Sequence, residues 1–117
     1  MTTPAQISEK YFTAWQAGDF DTLRGLLADD VEFVGALGRA SGVEECLGGL
    51  RGLGQVMERI DVHARVADDT DVITWFDLHV PGAAPTPTAN WSHVEDGRIT
   101  RIRVTFDPRE ILAALNR

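Results

Sequence analysis

The chain has 117 residues, enough for one domain that removes roughly two-thirds of its unfolded surface from water, with room for one core and one pocket. Lys and Arg total 11 against 18 Asp and Glu, and the net charge of -7 repels phosphate backbones and anionic headgroups, arguing against nucleic-acid or membrane partners. A lone Cys46 excludes an internal disulfide, and His63, His79 and His93 lack the Cys or acidic spacing of a zinc site, so neither a metal nor another cofactor is expected.

The opening Met1-Thr2-Thr3-Pro4-Ala5-Gln6 has neither a basic start nor an apolar h-region, and a cytoplasmic location is expected. Thr3 can cap a helix with Pro4 in its first turn; Ile7, Tyr11, Ala14 and Trp15 then recur at helical spacing until Gly18. Asp19 caps a second short helix with Phe20, Leu23, Leu26 and Leu27 on its apolar side, ended by Asp29-Asp30. A strand is predicted over 31–37. Ser41 with Glu44 three residues on reads as a capping box that opens a helix through Val43, Leu47, Leu50 and Val56. Gly48, Gly49, Gly52 and Gly54 weaken that helix by roughly 1 kcal/mol each relative to Ala, which suits either close packing or a flap over a ligand entrance.

Three period-two strands follow. In the first, Ile60, Val62, Ala64 and Val66 alternate with Asp61, His63 and Arg65; the others are predicted over 72–80 and 89–94. Pro81 to Pro87 reads as the loop between the second and third. A last strand over 98–106 leads into Asp107-Pro108-Arg109-Glu110, with Asp107 as N-cap, Pro108 at the first helical position and Glu110 closing a capping box. Helices followed by an antiparallel meander make residues 1–117 a single α+β domain.

The stretch Lys10-Tyr11-Phe12-Thr13-Ala14-Trp15-Gln16-Ala17-Gly18-Asp19 resembles the nuclear-transport-factor-2-like superfamily, in particular its SnoaL-like proteins. So do Leu27-Ala28-Asp29-Asp30-Val31, Asp96-Gly97-Arg98-Ile99 and Phe106-Asp107. The resemblance implies a cystatin-like cone, a curved mixed or antiparallel sheet packed against N-terminal helices, with a cavity between its concave face and the first helix. It implies little about activity, because the superfamily holds ketosteroid isomerase, limonene epoxide hydrolase, polyketide cyclases, dehydratases and non-enzymatic modules.

Within such a cone, parity decides which side chains face the cavity. The apolar set Ile102, Val104 and Phe106 belongs inside. For Asn90, Ser92 and Val94 to share that face, the turn must hold three residues, Glu95-Asp96-Gly97, with Gly97 at positive φ. A two-residue Asp-Gly turn would place Arg101 and Arg103 on the side of Asn90 and Ser92 instead. On the strand 72–80, Val72, Thr74, Phe76 and Leu78 form the more apolar face; Trp75, Asp77 and His79 go outside beside Trp91 and His93. Two outward tryptophans make an aromatic patch suited to a homodimer, with Asp77, His79, His93 and Arg103 as its polar part.

The resemblance places Tyr11 where ketosteroid isomerase carries an oxyanion-hole phenol, and Asn90 where it carries a protonated carboxylic acid; a core aromatic and a loop-binding amide are the alternative readings. The isomerase's proton-shuttling aspartate falls on Gly35, and the acidic residue that epoxide hydrolases and SnoaL-type cyclases carry on the last strand falls on Val104. Both familiar general bases are thus replaced by groups that move no proton. Asp77 and His79 are the remaining acid-base candidates, with His93 on the neighbouring strand, if they point inward. Trp15, Phe33, Thr74, Phe76, Ser92, Val104 and Phe106 are expected to surround a small, mainly apolar organic ligand. The chemistry implied is cofactor-independent isomerisation, dehydration or cyclisation of a polyketide-like or terpenoid-like molecule. A module that recruits a partner through the convex face is the rival.

Overall fold

A computed structural model describes residues 2–116. Thr3 accepts the Gln6 N–H at 3.2 Å while the Gln6 side chain accepts the Thr3 N–H at 2.9 Å, a full capping box that opens α1, Pro4–Ala17. Gly18 ends α1 in the left-handed region at φ 70°, where only glycine is unstrained. Asp19 caps α2, Phe20–Leu26, by accepting the Thr22 N–H at 3.1 Å.

The chain leaves α2 earlier than the sequence pattern predicts. Leu27 starts β1, Leu27–Gly35, because its fully buried side chain sits in a parallel pairing with Ile99, and Asp29-Asp30 fall in the register shift that follows. A strand without a sequence signal, β2, Gly38–Ser41, folds back on β1 as a hairpin. Pairing Ser41 with Glu32 takes it out of the cap: Gly42, at φ 86°, precedes α3, Val43–Val56, and Glu45 rather than Glu44 reaches back, accepting the Ser41 N–H at 2.9 Å.

The remaining strands are β3, Arg59–Ala67, β4, Asp71–His79, β5, Thr86–Glu95, and β6, Arg98–Thr105, and the six form one curved mixed sheet in the order β2-β1-β6-β5-β4-β3. Only β1 and β6 run parallel. A bulge at His63 reverses the alternation of β3, so Ala64 and Val66 continue on the opposite face from Ile60 and Val62. Strand β5 begins at Thr86 and takes in Pro87, inside the predicted loop. Proline is tolerated there because β6 stops opposite Ala89, leaving that stretch of β5 with β4 alone as neighbour. Past β6, the N-cap of α4, Arg109–Leu115, is Pro108 rather than Asp107, with no side-chain cap: Asp107 accepts the Arg109 N–H at 3.1 Å ahead of the helix, and Glu110 closes no box.

The β5–β6 turn differs from the predicted one, yet the faces come out as predicted. Asp96 at φ 52° and Gly97 at φ 77° form a two-residue turn between paired Glu95 and Arg98. Left alone, that turn would have sent Arg101 and Arg103 into the cone. A bulge at Thr100, between the pairings Val94–Ile99 and His93–Arg101, restores the parity. Ile102 is therefore fully buried beside Ser92, and Arg101 and Arg103 lie outside.

Candidate ligand cavity

The concave face of the sheet, α1 and α3 enclose a cavity of about 250 Å³. Helix α1 contributes Tyr11 and Trp15, held in an aromatic cluster: Tyr11 meets Phe12 edge-on at 5.0 Å, and Phe12 meets Phe76 at 5.3 Å. The Trp15 indole donates to the Leu50 carbonyl at 2.8 Å, tying α1 to α3. Phe33, Phe76, Val104 and Phe106 form apolar walls, the last three as their strand parity predicts.

Helix α3 supplies a wall that the sequence pattern did not assign to the cavity. Cys46, Gly49, Leu50 and Leu53, at i, i+3, i+4 and i+7, form its inner stripe. A Cβ at Gly49 would meet nothing within 4 Å, so the missing side chain is open space. Amphipathic spacing could have revealed the stripe, but four glycines masked it. Gly35 also lines the cavity, and a Cβ there would come within 2.8 Å of the Phe33 ring.

Two polar groups stand out on this oily lining. Tyr11 is 1 % exposed, and its hydroxyl has no hydrogen-bond partner among the described residues. The Asn90 amide oxygen accepts from Ser92 Oγ at 3.0 Å, whereas its nitrogen has no partner among them. No side-chain nitrogen or oxygen that is completely sealed off is left unpaired among the described residues. The Tyr11 hydroxyl and Asn90 Nδ2 therefore open onto space a ligand or water can fill, and the cavity that both residues line is that space.

No Asp, Glu or His lines the cavity among the described residues, and its one charged lining residue is the exposed Arg39. Burial, with a smaller contribution from Cys46, holds the Tyr11 phenol well above its ordinary pKa, and burial pushes the Cys46 thiol up to about 11. Both keep their protons at neutral pH. The lining thus offers hydrogen-bond donors and no base.

Thr74 and Ser92, predicted as ligand contacts, are buried but do not line the cavity. Thr74 lies 3.3 Å from the Ser8 hydroxyl and accepts from Arg65 Nε at 3.2 Å, so α1 and β3 already cover it. Asp77 and His79 also lie off the cavity, on the convex face. Asp77 pairs with His63 at 3.0 Å and His79 with Asp61 at 2.7 Å, rather than with each other or His93. His93 sits 2.9 Å from Asp71, which also accepts from Trp91 Nε1 at 2.8 Å and Thr70 Oγ1 at 2.6 Å. The hydrogen bonds from Thr70, His93 and Trp91 lower the Asp71 carboxyl to about 2. Around these pairs run exposed apolar groups: Val66, Ile73, Trp75 and Trp91, with Arg103 beside Trp91.

The SnoaL-like domain model matches residues 8–102. A crystal structure of a protein from Kribbella flavida superposes with a TM-score of 0.91 at 24 % identity, covering 99 % of this chain and 96 % of that one. An NTF2-like protein of unknown function from Cytophaga hutchinsonii gives 0.85 at 22 % identity over 96 % of each chain. An LEH-like epoxide hydrolase from M. tuberculosis gives 0.77 at 26 % identity, covering 96 % of this chain and 88 % of that one. No curated protein matches the chain.

Proposed function

The chain belongs to the SnoaL-like domain family, and we propose that it binds a small, mainly apolar organic molecule inside the cone, using Tyr11 and Asn90 as donors to one acceptor oxygen. The observation that carries this reading is the Tyr11 hydroxyl, buried yet unpartnered by protein at a cavity. A hydroxyl that opens onto the cavity takes its hydrogen-bond partner from there, a place that a ligand oxygen can fill. Trp15, Phe33, Phe76, Val104 and Phe106 bury the body of the ligand, which we place in the polyketide-like or terpenoid-like class. Binding takes place without a cofactor, in the cytoplasm.

The lining favours binding over general-base chemistry. Hydrolysis of an epoxide needs a group to activate water, and the cavity presents none among the described residues. The activity of the M. tuberculosis relative is accordingly not carried over. Isomerisation, dehydration or cyclisation is within reach only of a ligand whose own groups take up the proton, with the donor pair polarising its oxygen.

Calorimetric titration with 1-tetralone, a small ketone, tests the donor pair. Tyr11→Phe and Asn90→Ala should each weaken binding at least tenfold, about 1.4 kcal/mol. Unchanged affinities would retire the pair. A second reading concerns the convex face, where Trp75 and Trp91 are 47 % and 43 % exposed. We assign it to a homodimer, with Arg103 and the His–Asp pairs as polar surroundings. A monomer in light scattering at micromolar concentration would remove this assignment.

A further inference from the structure

Ser92 does more than fill the sheet. It stands two residues from Asn90 on β5, hence on the same face, and the two are 1 % and 2 % exposed. Its hydroxyl donates to Asn90 Oδ1 at 3.0 Å. An amide has one acceptor end and one donor end and a hydroxyl can face either, but Ser92 Oγ makes no other hydrogen bond among the described residues, so turning the amide by about 180° would leave the buried hydroxyl proton without an acceptor. We infer that Ser92 is a positioning residue that locks the Asn90 amide with its N–H groups toward the cavity, so that the site selects ligands by an acceptor oxygen, a ketone or aldehyde over the matching alcohol.

The inference rests on the binding role proposed above. With Oδ1 turned to Ser92, Asn90 presents its N–H groups to the ligand. The Tyr11 phenol, which keeps its proton, adds a second donor. A carbonyl oxygen can take both. An alcohol in the same place must also dispose of its own proton. Thr88 can receive it, because its hydroxyl donates to the Thr86 carbonyl at 3.0 Å and keeps its lone pairs. The effect is therefore read as a ratio of affinities rather than as exclusion.

Two matched pairs, 1-tetralone with 1-tetralol and camphor with borneol, serve as calorimetric probes on the full chain. The wild type should prefer the ketone of each pair, and Ser92→Ala should lower the ketone-to-alcohol ratio about tenfold by freeing the amide to turn. Ser92→Thr, which keeps the hydroxyl, should restore it. A general loosening of the fold would weaken both members of a pair alike and leave the ratio unmoved. As a second readout, the Asn90 side-chain NH2 resonances of the wild type should shift on adding 1-tetralone. A ratio unchanged in Ser92→Ala, or NH2 resonances indifferent to the ketone, overturns the positioning role while leaving the binding role intact. Failure of all four probes to bind overturns the binding role itself, and the inference with it.

Discussion

Gly49 carries the most discriminating prediction, because one substitution should raise stability and damage binding together. Replacing Gly49 by Ala adds a Cβ that meets nothing within 4 Å, so no steric cost opposes the gain in helix propensity inside α3. That gain is about 1 kcal/mol. With an unfolding entropy of about 2.1 cal/mol/K per residue, it corresponds to a rise in Tm of about 4 °C for a domain of this size. The new methyl, comparable to the ~30 Å³ share of one water molecule, is added at a residue that lines the 250 Å³ cavity. A ligand that fills the cavity then meets overpacking of about 1–3 kcal/mol, roughly a 5- to 150-fold loss, while a small one is unaffected. Gly48→Ala is the control: its Cβ also meets open space, but the residue does not line the cavity. Differential scanning calorimetry should show both variants stabilised. Titration with 2-acetylnaphthalene and with cyclohexanone should show Gly49→Ala alone shifting preference toward the smaller ketone. If the two alanine variants bind both ketones in the same proportion, the placement of Gly49 in the functional wall is refuted.

Other consequences are open to measurement. The Asp71 carboxyl is held at about 2, below its ordinary 3.8, so its contribution to stability is present above pH 4 and lost as pH falls toward 2. In urea melts Asp71→Asn should be less stable than the wild type at pH 7 and equal to it at pH 2; a gap of the same size at both would contradict the linkage. With its thiol raised to about 11, Cys46 should react slowly with iodoacetamide at pH 8, and 1-tetralone should slow it further. Rapid alkylation of the folded chain would argue against that burial. Trp75→Arg places a charge in the exposed aromatic patch, and light scattering should report loss of the proposed dimer with thermal stability retained.

The legible part of the fold was the part written in periodicity and caps. Thr3, Gly18 and Asp19 each act locally, within three or four residues, and their roles come through unchanged. What was not legible depends on partners distant in the chain. Leu27 reads as helix by spacing and becomes strand because Ile99, seventy-two positions later, offers a buried parallel pairing. Pro87 reads as loop because nothing nearby says that β6 ends before reaching it. In the candidate site, the walls Phe76, Val104 and Phe106 followed from alternation, whereas Thr74 shares the parity of Phe76 and lies under Ser8 and Arg65 instead. Parity gives the face of a strand; it does not give the stretch of that face left uncovered.

The extra residue at Thr100 gives the last hairpin one position that no pairing needs. Deleting Thr100 would close the bulge and leave the pairings beyond it in place, His93 with Arg101 and Ser92 with Ile102, so the guanidinium groups would stay outside and the aliphatic side chains inside. The segment Gly82–Pro85, outside any strand, has no register to lose. Loss of one residue should therefore be tolerated at Thr100 as it is in that loop.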